Sequence, residues 1–350
     1  MKRKIAVLFL LFMALSLWSE RTLKLQLSEQ LVLGKKDILF GGIASVGEDS
    51  SENLFLLDDK NFKVYKFSKN GEKLLSFGDR GDGPGCFLSP HSLYITPEGN
   101  IVVNETREFI SLFNSSGHFL ERIKVPVGLG LYYLNKDQFI GWIWKPDSKQ
   151  QVLINQKGEV LKSFFSIPRD AFSVNTADET GRMVMFNFFR EEYTPFFVFN
   201  QYRDYSILGV SDKYEIFLIK NGNVISTIRM DKKLVAISGS EKEYFKRIIN
   251  SDNKLPDFAR KKFVRKIPCC KNYFNHLRLS DKYIWVFKVK EDVTVRSSLI
   301  PVDLYGMDME FKGTLLIREL PHYISSKFIY LVDIDKEDDL ILTKYTYVLD

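Results

Sequence analysis

The residues best suited to chemistry lie in a glycine-rich stretch at 78–87, with the order Gly-Asp-Arg-Gly-Asp-Gly-Pro-Gly-Cys-Phe. Such a stretch could cradle a phosphate, but it lacks the Gly-Lys-Ser/Thr ending and the following helix that aim backbone N–H groups at phosphates. A calcium loop of the EF-hand type needs a bidentate Glu where Pro90 stands. The Arg-Gly-Asp tripeptide at 80–82 also occurs in cell-adhesion ligands. The glycines themselves predict a turn that links two structural units.

Histidines do not form a recognisable reactive cluster. None of the four His residues has a metal-type neighbour at short spacing, so no zinc site can be read from them. The sequence patterns of serine hydrolases and zinc proteases are missing as well. The sequence therefore predicts no catalytic residue, no metal site and no cofactor, and it predicts a protein that is not an enzyme.

Cysteines leave an odd thiol if the chain is exported, because there are three of them. Cys269 and Cys270 could form a strained vicinal disulfide, or either of them could pair with Cys86. All three could also remain thiols. The sequence alone does not choose among these states.

The N-terminus has the order of a secretory signal peptide. Lys2, Arg3 and Lys4 precede an apolar run that is too short for an ordinary membrane span. We expect a signal peptide at 1–19 and export to the periplasm or the extracellular space, with no membrane span after cleavage; an uncleaved anchor is the alternative. Loss of these basic residues would lower the net charge from +6 to about +3, which gives no reason to expect a nucleic-acid partner.

Beyond the N-terminus, the hydrophobic pattern repeats. Short alternating apolar runs before the glycine-rich stretch recur after it in the same order, so that Asn53 and Asn100 begin corresponding runs 47 residues apart. Each copy continues through a turn, at 70–71 and at 116–117, into a closing strand. A four-stranded unit that recurs at about this period is typical of a β-propeller blade.

More degenerate copies continue to the C-terminus and give six blades in all. The last blade lacks its fourth strand, and the strand-like residues 23–33 would supply it and close the ring. A capping-box pattern at Ser240 and Glu243 predicts a helical insertion at about 238–267, between blades four and five. The expected architecture is an all-β six-bladed propeller that forms a single domain over residues 20–350.

Three runs carry a resemblance to a known family: Asn-Leu-Phe-Leu-Leu-Asp at 53–58, Asn-Gly-Glu-Lys-Leu at 70–74 and the glycine-rich stretch. They resemble NHL-type six-bladed β-propellers, and more narrowly the exported bacterial proteins known as six-bladed β-propeller proteins. The resemblance is specific over residues 42–125 and weaker towards the C-terminus. One departure is Cys86, where the family's loop usually has an acidic residue. The resemblance implies the fold and a tendency to bind, and it carries over no catalytic residue.

We therefore predict an exported monomer that binds or scaffolds protein or carbohydrate ligands and has no catalysis of its own. In a propeller with this strand order, the loops between second and third strands open on the same face as the loops between blades. Loops on a rigid scaffold are where binding residues concentrate. The predicted partner site consists of the basic and aromatic residues of these loops, Lys60, Arg80, His91, Arg107 and Trp144.

The alternative is a metal-dependent hydrolase or lactonase similar to gluconolactonases. Propellers of that type hold a metal at the channel mouth with Glu, Asn and Asp side chains from several blades. Asn104, Glu105 and Asn175 are the residues that could contribute to such a site here.

Overall fold

The computed structural model describes residues 22–34, 38–105, 109–124, 131–168, 174–177, 183–186, 195–231, 234–290, 295 and 299–350, with 174–177 and 183–186 described by their backbone alone. The predicted signal peptide at 1–19 and the predicted site residue Arg107 lie outside these residues. Within the described ranges, no helix has the length and hydropathy needed to cross a membrane.

Six antiparallel sheets of four strands each stand as the blades of a propeller around a central channel, which confirms the predicted fold class. The first strand of the described residues is β1 (Leu25–Leu33), which belongs to the last blade. Blades one to three follow as β2 (Ser45–Glu48), β3 (Leu54–Asp58), β4 (Lys63–Phe67) and β5 (Lys73–Phe77), then β6 (Pro90–Ile95), β7 (Ile101–Glu105), β8 (Phe109–Phe113) and β9 (Phe119–Lys124), then β10 (Tyr132–Asn135), β11 (Gln138–Trp144), β12 (Ser148–Asn155) and β13 (Val160–Pro168).

The second half of the chain contains three more blades and two insertions. A hairpin of β14 (Val174–Ala177) and β15 (Met183–Phe186) precedes blade four, which consists of β16 (Phe197–Tyr202), β17 (Tyr205–Val210), β18 (Tyr214–Lys220) and β19 (Asn223–Met230). The other insertion comprises β20 (Val235–Ala236), α1 (Gly239–Ser251), α2 (Asp257–Arg265) and β21 (Cys270–Lys271). Blade five is β22 (Phe274–Leu279), β23 (Tyr283–Lys288), β24 (Ile300–Gly306) and β25 (Phe311–Ile317), and blade six adds β26 (Tyr323–Ile324), β27 (Phe328–Ile334) and β28 (Leu340–Leu349) to β1.

Strand β1 closes the ring as the outermost strand of blade six. It pairs antiparallel with β28, so that Leu25 lies opposite Leu349. The segment before β1 continues to blade five, where the backbone N–H of Leu23 donates to the carbonyl of Thr314 at 2.8 Å. The predicted closure of the last blade by the N-terminal strand is therefore confirmed, and it removes an exposed sheet edge.

Apolar side chains form a separate core between each pair of neighbouring blades. Because successive side chains of a strand point to opposite faces of the sheet, one strand can supply two cores. Strand β3 does so: Leu54 and Leu56 are buried against blade six, while Phe55 and Leu57 are buried against blade two. This arrangement explains why the inner and middle strands read as nearly continuous apolar runs.

The turns between third and fourth strands repeat in the form that the sequence predicts. Gly71, Gly117 and Gly158 occupy corresponding positions with φ angles of 91°, 77° and 80°. Glycine adopts this left-handed conformation without a Cβ clash. Three residues earlier, the side chains of Asn114 and Asn155 accept hydrogen bonds from backbone N–H groups across their turns.

The helical insertion between blades four and five is confirmed, but its helix begins two residues earlier than the sequence pattern predicts. The capping box uses Ser238 and Glu241, where the sequence predicted Ser240 and Glu243. Ser238 Oγ accepts from the Glu241 backbone at 3.1 Å, and Glu241 accepts from the Ser238 backbone at 2.7 Å. The earlier start buries Glu241 completely, where it meets the charge of Lys271. Helix α2 also contacts β14, so the two insertions meet beside blade four.

Candidate ligand site in the central channel

The innermost strands of the blades enclose a cavity of about 440 Å³ on the propeller axis. Strands β2, β6, β10, β16 and β22 form its wall, together with β26 and the segment that leads into it. Sites for small molecules typically have volumes of roughly 300–1000 Å³. The cavity is therefore large enough to hold a small ligand.

One side of this channel is aromatic. Tyr132 of blade three and Phe199 of blade four stack with their ring centroids 4.3 Å apart and their planes 26° from parallel. His91, at the beginning of blade two, meets Tyr132 nearly edge-on with centroids 6.2 Å apart. The Nδ1 atom of His91 is buried and has no hydrogen-bond partner among the described residues. The stacked pair offers a flat apolar surface on which a ring or a sugar face can pack.

Arg278 of blade five brings a positive charge into the same channel. Its Nε atom donates to the carbonyl of Pro321 at 3.2 Å, and its Nη1 atom donates to the carbonyl of Leu277 at 3.0 Å. The bond to Pro321 ties blade five to the segment that enters blade six, while the bond to Leu277 stays within the strand of Arg278. Burial lowers the pKa of Arg278 to about 10, so the guanidinium is charged at neutral pH.

Two histidines near Arg278 are held neutral. Burial, and then the charge of Arg278, lower the pKa of His276 to about 4. The same two causes lower the pKa of His322, which lines the channel. Burial also raises the pKa of the Tyr132 hydroxyl, and the charge of Arg278 opposes that rise. At neutral pH, the positive charge in this part of the channel therefore belongs to Arg278.

Glu48 is the one carboxylate among the described residues that line the cavity, and it is engaged elsewhere. The hydroxyl of Tyr330 donates to Glu48 Oε2 at 2.6 Å. Burial raises the pKa of Glu48, while the hydrogen bond from Tyr330 and the charge of Lys344 act in the opposite direction. Glu48 belongs to a local network with blade six and forms no ion pair with Arg278.

The structure describes four of the five residues predicted as a partner site: Lys60, Arg80, His91 and Trp144. Lys60 and Arg80 both belong to loops of blade one. Lys60 pairs with the neighbouring Asp59 at 3.2 Å. The guanidinium of Arg80 lies over the ring of Phe62, with its carbon 5.5 Å from the ring centroid. Both of these contacts lie within blade one.

His91 belongs to blade two and Trp144 to blade three. Trp144 ends the second strand of blade three and is 52% exposed. The ammonium of Lys149 lies 4.3 Å from the ring centroid of Trp142 and 5.5 Å from that of Trp144. The ring of His91 meets that of Tyr132, which lines the channel, and its Nδ1 atom is buried.

The residues of the alternative metal site have structural partners. Glu105 accepts a hydrogen bond from the Leu88 backbone at 2.6 Å and pairs with Arg122 at 2.7 Å. Asn104 bonds within blade two and to the backbone of blade three. The side chain of Asn175 lies outside the described residues. Within the described ranges, no group of three or more His, Cys, Asp or Glu side chains is placed to hold a metal ion.

The three cysteines are thiols in the structure. The Sγ atoms of Cys269 and Cys270 lie 3.3 Å apart, which is a hydrogen-bonding contact and not a covalent bond. Their contact raises the pKa of the Cys270 thiol. Cys86 lies in the glycine-rich loop, away from both.

Arg278, Tyr132 and Phe199 carry no recognisable motif in the sequence, although they dominate the channel. Each stands within the first strand of a blade, and the three strands belong to different blades. One signal could have pointed to Arg278. A charged residue within the first strand of a blade either faces the channel or is buried between sheets, where an unpaired charge costs free energy. Arg278 is such a residue.

Comparison with known families and structures agrees with this architecture. The sequence model of a family described as 6-bladed beta-propeller matches residues 33–253, which is more than half of the chain. No curated protein matches the chain.

Solved structures resemble the whole fold at low sequence identity. A candidate exported protein from Bacteroides fragilis aligns with a TM-score of 0.56 and 12% identity, over 94% of this chain and 96% of that one. A member of the duf4221 family from Bacteroides vulgatus aligns with a TM-score of 0.53 and 13% identity, over 95% and 99%. Virginiamycin B lyase from Staphylococcus aureus reaches a TM-score of only 0.41 at 10% identity, over 93% and 100%. These likenesses concern the fold alone, because one fold serves many functions.

Proposed function

The chain belongs to the 6-bladed beta-propeller family, and we propose that it is an exported binding module that holds a small ligand in its central channel. The observation that carries this proposal is the combination of a stacked aromatic pair, Tyr132 and Phe199, with the charged Arg278 in one cavity of about 440 Å³. Apolar surface with a few fixed polar groups is the usual composition of a small-molecule site.

Export is the second part of the proposal. The basic start and the apolar run at the N-terminus have the order of a signal peptide. A structure with the same fold comes from a protein described as a candidate exported protein. Both observations support a periplasmic or extracellular location.

A binding role is favoured over the metal-dependent hydrolase. The carboxylate of Glu105 would have to give up Arg122 and the backbone of the glycine-rich loop before it could bind a metal. Loss of a buried partner is costly, so this exchange is unfavourable. The loop residues Lys60, Arg80, Arg107 and Trp144 stay a proposal for contacts with a larger partner, either protein or glycan.

The channel proposal can be tested with a thermal-shift panel of monosaccharides, amino acids, dipeptides and aromatic carboxylates. At least one class should raise the melting temperature with increasing concentration, since binding to the native state stabilises it. Replacement of Tyr132 by Ala should weaken that ligand by at least about tenfold, because half of the stacking surface is removed.

The matched control is Trp144→Ala, which removes an exposed aromatic residue of the loop face. It should change the affinity by less than about twofold. A ligand that depends on Trp144 and not on Tyr132 would place the site on the loops. A panel in which no compound stabilises the protein would count against a small-molecule site in the channel.

A further inference from the structure

The guanidinium of Arg278 lies in the channel wall without a neighbouring carboxylate. Its two hydrogen bonds go to backbone carbonyls of Leu277 and Pro321, which carry no net charge. Glu48 is bound to Tyr330 instead. A partly desolvated cation without a counter-charge is unfavourable, so a bound anion would stabilise this arrangement.

Three other cations of the chain each pair with a carboxylate. The buried Lys271 pairs with Glu241 at 3.1 Å, and the largely buried Arg122 pairs with Glu105 at 2.7 Å. Arg203, which lines the same cavity as Arg278, pairs with Asp281 at 3.4 Å although its side chain is 55% exposed. Arg278 differs from these residues because no carboxylate of the described chain pairs with it.

The hydrogen-bonding capacity of Arg278 is only partly used. A guanidinium has five N–H donors, and the two backbone carbonyls occupy one on Nε and one on Nη1. The remaining donors form the part of the group that can meet two carboxylate oxygens side by side. Because the two backbone bonds already hold the side chain in place, little conformational freedom would be lost on binding.

The aromatic pair indicates which other chemical group the ligand should carry. Tyr132 lines the same cavity as Arg278, and its ring stacks on Phe199 with centroids 4.3 Å apart. His91 adds a buried Nδ1 atom without a partner next to Tyr132. A ligand held by Arg278 therefore has a flat apolar surface within reach.

On the basis of the proposed channel site, we propose that its ligand is a small organic anion, a carboxylate that carries a planar ring. The carboxylate pairs with Arg278, and the ring packs against Tyr132 and Phe199. This ligand supplies the missing negative charge and uses the aromatic wall at the same time.

The test compares benzoate with benzamide, which has the same ring and no charge, and with inorganic phosphate, which has charge and no ring. Titration calorimetry on the full purified protein should detect benzoate, with benzamide and phosphate each at least about tenfold weaker. Arg278→Met should bind benzoate about 10- to 100-fold more weakly, as expected for a lost charge-assisted hydrogen bond. Arg203→Met, the control from the same cavity, should bind within about twofold of the wild type.

Circular dichroism melting checks that both variants fold. Should Arg278→Met fail to fold, Arg278→Lys keeps the charge but loses the two-pronged geometry, and it should bind benzoate at least about fivefold more weakly than the wild type. Equal binding of benzoate and benzamide, or wild-type affinity in either variant at Arg278, would overturn the inference. Phosphate binding as tight as benzoate would overturn the role of the ring.

Different results would contradict the channel as a binding site and its preference for anions. Neutral ring compounds or sugars that bind and depend on Tyr132 would keep the channel as the site while removing its preference for anions. Absence of any compound that depends on Tyr132 would remove both.

Discussion

At the scale of single residues, the surroundings of His276 determine how the protein responds to acid. His276 borders a second small cavity of about 160 Å³ whose other ionisable lining residues are Lys288 and Lys290. Arg278 lies close enough to lower its pKa further. The guanidinium of Arg278 keeps its charge between pH 4 and 7, so it opposes protonation of His276 throughout that range.

We predict that replacing His276 by Gln reduces the loss of stability in acid. The unfolded chain takes up the proton near the ordinary pKa of 6.5, whereas the native protein takes it up near 4. The contribution of neutral His276 is therefore complete above pH 6.5 and is lost progressively as the pH falls towards 4, by up to roughly 3 kcal/mol. Urea denaturation at pH 7 and pH 4.5 measures this difference.

The control for this experiment is His118→Gln, at an exposed turn of blade two. It should leave the acid sensitivity of the wild type unchanged. If the wild type and His276→Gln lost the same stability between the two pH values, His276 would not be the buried neutral group described here.

At the scale of elements, carboxylates tether the loops that enter the blades. Asp58 accepts hydrogen bonds from the backbone at 41–42, and Glu105 accepts them from the backbone at 88–89. All of these positions differ by the offset of 47 that relates corresponding residues of blades one and two. The sequence shows the offset and predicts the turn in the glycine-rich stretch. It does not show that an acid from the next blade holds that turn, because the partners are distant along the chain.

The helical insertion is held by a second kind of tether. Glu241 completes the capping box of α1 and also pairs with Lys271 of β21, and both side chains are fully buried. Lys271 Nζ additionally donates to the carbonyl of Lys290 at 3.2 Å. One ion pair therefore joins the first turn of the helix to the strand that leads into blade five.

We predict that Lys271→Met destabilises the protein by about 3–5 kcal/mol, because it leaves the Glu241 charge buried without its partner. Urea denaturation, followed by helical circular dichroism, measures the change. The double variant Lys271→Met, Glu241→Gln should recover part of the loss, since neither side chain then carries a charge. A single variant as stable as the wild type would show that the ion pair does not hold the insertion.

At the scale of the whole molecule, the fold can be predicted from the sequence and the channel site cannot. Blades, turns and ring closure can each be recognised from a local sequence pattern, such as alternating apolar residues or a strand missing from the last blade. No such pattern marks Tyr132 and Phe199, and Arg278 is marked only as a charge in an inner strand, because the three residues stand in different blades and meet only in the closed ring. Strand spacing alone does not reveal which side chains of an innermost strand face the axis.

We predict that deletion of residues 21–33 destabilises the whole ring. The deletion removes β1 from β28 and takes Leu31 and Leu33 out of the core between blades six and one. Loss of these buried leucines should cost on the order of 5 kcal/mol and lower the melting temperature by about 10 °C. A synthetic peptide of residues 22–33 should restore the melting temperature by pairing with the open edge. A truncated protein that melted like the full chain would contradict the closure.

The pairing of β1 with β28 also sets the order in which the protein can be assembled. Gln26 hydrogen-bonds to Asp350 across 324 positions of sequence. Strand β1 must therefore wait, without its partner, until β28 has been made. Contacts between such distant segments form slowly because a long loop has to close first. If the chain crosses a membrane before it folds, its ring cannot be completed until β28 has crossed as well.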